Sequence, residues 1–251
     1  MLERYLVPVY LPTWLHRRIV QVKRAFIPST TVELPARVSN PITILGERDI
    51  EWSFLSTEMP SGPGEALEFG CERGYMSLLA AQQGFRVLAV DLEDQPFTWQ
   101  HPRVEFRLGD FLKMEFQRDY YDLAINCSSV EHVGLAGRYG VTLEQNDGDI
   151  EVMRRLAEIL KPGGLLLMTA PCGRDTVMGS WCRVYGPERL PRILSPFQIL
   201  KQSYWIKDAA NRWVGSDRHT ALNFSARFEP TDPYECLYAL GCFVLQKPGT
   251  P

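Results

Sequence analysis

The chain has 251 residues and a formal net charge of -3, with 45% of residues hydrophobic and 23% charged. These are globular proportions, and the length suits one large α/β domain or a domain with an appendage. The slight negative balance gives no overall pull toward polyanions, which argues against a dedicated nucleic-acid modifier.

Residues 1–50 read as an N-terminal extension and residues 51–251 as the main domain. Pro8 and Pro12 interrupt the first apolar stretch behind Glu3, so no signal peptide is expected. No run is long enough to span a membrane. Leu15, Ile19, Val22 and Phe26 recur at helical spacing, giving an amphipathic helix over residues 13–26 with Thr13 as N-cap and a basic face of His16, Arg17, Arg18, Lys23 and Arg24. Docking on the core with a partial lid role is the favoured reading, and peripheral membrane contact is the alternative. Residues 28–40 read as a linker. A short helix over residues 49–55 carries Trp52, either near a ligand or in the core.

The stretch 65–91, EALEFGCERGYMSLLAAQQGFRVLAVD, organises the rest of the chain. It predicts a buried strand over 66–69, a loop Gly70-Cys71-Glu72-Arg73-Gly74, a helix ending at Gly84, and a strand over 86–90 closed by Asp91. Strand, glycine loop, helix, strand and acid form the nucleoside-binding half of a doubly wound sheet, with the terminal acid placed to accept from ribose hydroxyls. A nicotinamide dinucleotide is disfavoured: the third and sixth positions of its glycine pattern are Glu72 and Tyr75, and a carboxylate there repels a pyrophosphate. The P-loop pattern fails too, since no Gly-Lys-Ser/Thr closes the loop. Glu68, two residues before the first glycine, suits a ligand with a cationic amino-acid tail.

Further along, Pro96 and Pro102 leave little room for a second crossover helix. A third strand over 104–108 leads into Gly109-Asp110-Phe111, where Asp110 is also a candidate cap for a following helix. A fourth strand begins at Tyr121 and leaves the sheet through Asn126 to His132. Asp147 or Asp149 is expected to cap a helix whose buried stripe is Ile150, Met153, Leu156 (or Ala157) and Leu160. Lys161-Pro162-Gly163-Gly164 ends it, and residues 165–170 form strand five. A short helical turn follows Pro187. Residues 197–207 and 235–246 are expected as an antiparallel pair at the sheet edge, joined by a polar, aromatic connection over 209–233.

The motifs Glu68-x-Gly70-x-x-x-Gly74, Leu108-Gly109-Asp110-Phe111, Tyr121 to Asn126 with Cys127-Ser128-Ser129-Val130-Glu131-His132-Val133, and Leu160-Lys161-Pro162-Gly163-Gly164 stand in one order across residues 65–171. In this the chain resembles the class I S-adenosylmethionine-dependent methyltransferases. The resemblance implies an α/β fold, a doubly wound Rossmann-like seven-stranded sheet with an antiparallel seventh strand, here with an N-terminal helical extension. It implies S-adenosylmethionine as cofactor, S-adenosylhomocysteine as product and no metal. The cofactor-binding set it points to is Trp52, Glu68, Gly70, Cys71, Glu72, Gly74, Asp91, Leu92, Gly109, Asp110, Phe111, Asn126, Cys127 and Ser128. Glu72 departs from the pattern, standing where the family has its middle glycine, and the role of its side chain is open.

Methyl transfer requires an acceptor held close to an activated carbon and, for a hydroxyl, removal of a proton. His132 is the candidate base or a wall of the pocket, and Glu131 is placed to orient it or to cap the following turn. His219 beside Asp217 is the alternative base, or a solvated loop residue. The expected function is O-methylation of a small-molecule or glycan acceptor. N-methylation and a non-catalytic binding module of the same fold are the alternatives. Six cysteines without any C-x-x-C form neither a disulfide framework nor a zinc pattern, so free thiols and a cytoplasmic location are expected.

Overall fold

A computed structural model of the chain describes residues 47–94, 97–136, 144–209, 212–228 and 236–249. The helix expected over 13–26 and the linker over 28–40 lie outside these residues.

Helix α1 (Arg48–Glu58) precedes strand β1 (Gly64–Phe69), and helix α2 (Tyr75–Gln82) connects β1 to β2 (Phe85–Asp91). Strands β3 (Val104–Leu108) and β4 (Tyr121–Cys127) follow, and a 3-10 turn (Val130–His132) leaves β4. Helix α3 (Gly148–Ile159) then leads into β5 (Leu160–Cys172). The remaining elements are β6 (Thr176–Met178), β7 (Cys182–Val184), α4 (Arg189–Leu194), β8 (Gln198–Lys207), β9 (Trp213–Ser216), α5 (Arg218–Leu222), β10 (Arg227–Phe228), β11 (Cys236–Leu237) and β12 (Ala239–Gln246).

The central sheet has the order β3-β2-β1-β4-β5-β12-β8-β9. Its first five strands pair in parallel, while β12 runs antiparallel to both neighbours, β5 and β8. The order reverses direction between β1 and β4, and the crevice beyond their carboxyl ends is where such sheets take ligands. Alternate residues of β4 serve opposite layers: Leu123, Ile125 and Cys127 join one core cluster and Ala124 the other. Burial on both faces explains why the strand reads as an almost unbroken apolar run.

The sheet has eight strands rather than the expected seven. The extra edge strand β9 lies inside the stretch expected as a loop, and it pairs antiparallel with β8 from Lys207↔Trp213 to Tyr204↔Ser216. Asp208 closes that turn, accepting from the Arg212 backbone N–H at 2.9 Å and pairing with its guanidinium at 2.8 Å. The last strand is also divided: Cys236–Leu237 pairs with β10, and the chain enters β12 only after Tyr238. No helix occupies the described part of residues 92–103, in keeping with the two prolines there.

The capping expected of Asp147 or Asp149 is not what the structure shows. Asp147 stands at the N-cap of α3 without a side-chain cap bond. Asp149 is fully buried, with Arg189 Nη2 and Nε at 2.6 and 2.8 Å and Arg183 Nε at 3.8 Å. Arg183, itself 3% exposed, donates to the carbonyls of Val133 and Gln145 and so ties the segment after β4 to the start of α3. Asp149→Ala leaves a buried guanidinium without its counter-charge. It is expected to lower unfolding stability in urea by about 3–5 kcal/mol, the usual loss on breaking a buried ion pair from one side.

Candidate active site

The glycine loop is built on alternating left-handed residues, with φ of 68° at Gly70, 47° at Glu72 and 66° at Gly74. Gly70 must lack a Cβ, because one would collide with Ser129 Oγ, so the loop after β1 abuts the loop after β4. Glu72 holds a left-handed conformation that costs a non-glycine residue about 1–2 kcal/mol. Its backbone N–H offsets this by donating to Asp91 Oδ2 at 2.7 Å. Asp91 Oδ1 accepts from the Glu93 N–H at 3.0 Å. Each Asp91 oxygen thus accepts one such bond and keeps a second lone pair.

Glu68 serves the helix that follows the loop. Gly74 begins α2 without a side chain to cap it. The fully buried Glu68 carboxyl reaches over from β1 instead, accepting from the Ser77 backbone N–H at 2.7 Å and from Ser77 Oγ. Burial pushes its pKa up to about 8, against the bonds from Ser77. It therefore starts the helix as a largely neutral acid at pH 7 and offers no full charge to a cationic tail. Cys71 is buried beneath the loop, and its burial raises the thiol well above its ordinary range.

Gly109 follows β3 and donates to the Asp91 carbonyl at 2.7 Å, joining the ends of β2 and β3. Asp110 caps a turn rather than a helix: Oδ1 accepts from the Leu112 N–H at 3.0 Å, and Oδ2 pairs with Lys113 Nζ at 3.0 Å. Phe111 follows directly. It is 2% exposed and packed between Phe69 and Phe116, with ring centroids 5.0 and 4.8 Å away, so it belongs to the core. Leu92 is exposed at the tip of β2, and Trp52 on α1 packs against the Tyr75 ring at 5.2 Å.

The end of β4 is polar and almost dry. Asn126 is fully buried, and among the described residues neither polar atom of its side chain has a hydrogen-bond partner. Ser128 adopts a φ of 46° and its hydroxyl donates to Glu51. Glu51, on α1 and fully buried, also accepts from Thr169 Oγ1 at 2.7 Å and from Arg48 Nη1 at 2.7 Å. Arg48 extends past Cys127, with Nη1 3.5 Å from its sulfur, and brings Nη2 to 4.0 Å from Glu72. Burial raises the Cys127 thiol well above its ordinary range.

His132 is held on two sides. Its Nδ1 lies 2.5 Å from the Trp181 carbonyl oxygen, and its ring stacks on the Trp181 indole at 5.7 Å. A carbonyl only accepts, so Nδ1 carries the proton and the neutral ring has its lone pair on Nε2. Glu131 Oε1 lies 3.7 Å from that nitrogen. Burial pushes the Glu131 carboxyl well above the carboxylate range, and its Oε2 has no hydrogen-bond partner among the described residues. Asp217 and His219 stand at the start of α5. Asp217 caps α5, accepting from the Thr220 N–H at 2.8 Å and Thr220 Oγ1 at 2.7 Å, while His219 is exposed on the helix.

Sequence reasoning missed Arg48, Glu51, Trp181 and Arg183. The i, i+3 spacing of Arg48 and Glu51 was an available signal on a helix. Nothing local marked Trp181 or Arg183. A separate cavity of about 460 Å³, lined by Glu65, Arg86, Val104 and Tyr121 among others, lies by the amino-terminal ends of the strands, away from this chemistry.

The sheet order, with β12 reversed between β5 and β8, is the fold of the class I S-adenosylmethionine-dependent methyltransferases. Within that class the chain belongs to a family described as "Caenorhabditis protein of unknown function, DUF268", which matches residues 66–223. It is 25% identical over 121 residues to a Mycolicibacterium smegmatis protein named a probable S-adenosylmethionine-dependent methyltransferase, a match over 45% of this chain and 42% of that protein. The chain thus spans about two-fifths of that relative's length. Two solved structures share the fold. The 1,6-didemethyltoxoflavin-N1-methyltransferase of Burkholderia thailandensis is 15% identical with a TM-score of 0.51, covering 96% of this chain and 92% of its own. The N-methyltransferase NodS of Bradyrhizobium japonicum is 17% identical with a TM-score of 0.53, covering 91% of this chain and 97% of its own.

The buried Glu68 makes stability depend on pH. Its folded pKa of about 8 lies above the ordinary 4.5, so the folded state holds the extra proton between those values. Its contribution is fully present below the lower value and is lost as pH rises through the upper one. Glu68→Gln keeps an acceptor for Ser77 and removes the titration. Urea unfolding between pH 5 and 8 is expected to favour the variant increasingly, by up to ~1.4 kcal/mol per pH unit. A gap that stays constant across this range would contradict the assignment.

Proposed function

We propose that the chain transfers a methyl group from S-adenosylmethionine to the hydroxyl of a small-molecule or glycan acceptor. The observation that carries this reading is His132, whose Nδ1 is tied to the Trp181 carbonyl so that Nε2 is a base. When bound, the cofactor supplies a methyl carbon on a sulfonium: its bond to sulfur breaks as the bond to the acceptor forms, and sulfur leaves as a neutral thioether.

This chain's residues fit that donor. Asp91 keeps a lone pair on each oxygen for the ribose hydroxyls, and the Glu72 carboxylate beside the loop disfavours a pyrophosphate. Gly109 and Asp110 stand beside Asp91 for the adenine end. His132 Nε2 takes the proton that the acceptor oxygen gives up. Burial holds the Glu131 carboxyl beside it well above the carboxylate range, which disfavours a full negative charge next to the imidazole.

Residues 51–251 are read as the catalytic unit and residues 1–50 as its extension. A cytoplasmic location is supported by six cysteines that are all buried and none of them in a disulfide. Transfer to nitrogen is the second reading, favoured by the names of the Burkholderia and Bradyrhizobium enzymes. An amine attacks without prior loss of a proton and depends less on a base.

Two measurements test this. Calorimetry with S-adenosylhomocysteine is expected to give an affinity for Asp91→Ala about 10²–10⁴-fold below wild type, the loss of two hydrogen bonds to a charged acceptor. Equal affinities would reject the ribose assignment. With labelled methyl donor and a panel of hydroxyl and amine acceptors, His132→Gln is expected to lower turnover on a hydroxyl by about 10²–10⁴-fold, the usual contribution of a general base. Unchanged turnover on a hydroxyl would remove His132 from the chemistry, and nucleoside binding without turnover on any acceptor would favour the non-catalytic module.

A further inference from the structure

We infer that Glu72 and Arg48 form a charge pair that recognises the amino-acid tail of the nucleoside, Glu72 taking its ammonium group and Arg48 its carboxylate. This deepens the cofactor reading above and rests on it.

Glu72 occupies a left-handed position at φ 47° that glycine would hold without strain, so the side chain is kept there against a conformational cost. That side chain does nothing for the fold that the structure reveals. It is 60% exposed, and among the described residues its carboxylate has an ion-pair contact at 4.0 Å with Arg48 Nη2 and no hydrogen bond. Arg48 is 31% exposed, fixed through Nη1 by Glu51 at 2.7 Å and directed past Cys127 toward the loop. A guanidinium has five N–H donors, and those facing Glu72 are too far from its oxygens for a direct bond.

The placement matches one ligand shape. The Glu72 backbone is bonded to Asp91, the residue assigned to the ribose, while its side chain points the other way, to Arg48 at the end of β4. A nucleoside whose ribose sits on Asp91 therefore extends toward this pair with its other end. In an α-amino acid the ammonium and carboxylate are borne on one carbon, so they lie only a few bonds apart. Laid alongside two protein charges 4.0 Å apart, they make four alternating charges, each beside two of opposite sign. A tail lacking either charge leaves one protein group unmatched.

Calorimetry with S-adenosylhomocysteine and with 5′-methylthioadenosine, which has the same ribose and base but no amino-acid tail, tests the inference on wild type, Glu72→Gly, Glu72→Gln and Arg48→Gln. The Glu72 variants are expected to bind S-adenosylhomocysteine about 10-fold or more weakly, as for the loss of a charged hydrogen-bond partner. Binding of 5′-methylthioadenosine is expected to stay within about 2-fold of wild type, since its contacts are untouched. Glu72→Gly relieves the strained φ, so its melting temperature is expected to match or exceed wild type. That keeps the test decisive even if Arg48→Gln, which removes the partner of the buried Glu51, fails to fold. Unchanged or tighter S-adenosylhomocysteine binding in the Glu72 variants overturns the inference, as does an equal loss for both ligands. Should wild type bind neither nucleoside, the cofactor reading itself falls and takes this inference with it.

Discussion

The carboxylate of Glu51 has no exposure to solvent, yet three parts of the chain donate to it: Arg48 from α1, Ser128 from the end of β4 and Thr169 from β5. An unpaired charge in such a place would cost many kcal/mol, so these donors are a requirement of burying the group at all. The requirement fixes geometry. Helix α1 cannot shift along the sheet without breaking two bonds to different strands, and the loop after β4 cannot move without leaving Glu51 short of a donor. Arg48 is thereby aimed at the glycine loop, and the crevice between β1 and β4 acquires a wall that neither strand supplies.

Strain at the strand ends is held in the same way. Glu72 and Ser128 are both non-glycine residues at positive φ, one in the turn after β1 and the other directly after β4. Each is secured by a bond that a relaxed backbone would lose, the Glu72 amide to Asp91 and the Ser128 hydroxyl to Glu51. Strained residues that persist because their surroundings over-determine them concentrate at functional sites, and here both stand at the switch point of the sheet. The β6–β7 hairpin adds the last constraint. It carries Trp181 to His132 and fixes which imidazole nitrogen bears the proton.

What could be read from the chain alone was what leaves a local trace. Strands β1, β2, β4 and β5 were legible because burial on both faces makes them largely apolar runs, and β3, a half-exposed edge strand, ends where the pattern put it. Glycine spacing located the loop, and Asp91 followed from its place at a strand tip. The burial of Glu68 was not legible, because a motif position does not say whether a carboxyl faces a ligand or the first turn of the helix that follows. Contacts between remote segments left no periodic signal: Glu51 meets Thr169 across 118 residues, and His132 meets Trp181 across 49. The edge strand β9 was hidden for another reason. It has only four residues, and its exposed positions read as a polar connection.

A shared fold does not by itself establish a reaction, because one architecture supports many chemistries and function resides in the site. The stronger argument is the condition of the polar groups around the crevice. Among the described residues, fully buried Asn126 finds no partner for either amide atom and buried Glu131 Oε2 finds none either. Buried polar groups are almost always satisfied in native proteins, and each exception costs roughly 1–3 kcal/mol. A domain that merely kept this architecture as a scaffold would gain by exchanging such groups for apolar ones of the same size. Instead they stand at the end of β4 and in the turn that carries His132, close to two strained residues. Unpaired buried polar groups and backbone strain thus coincide at the end of the sheet where α/β folds take their ligands.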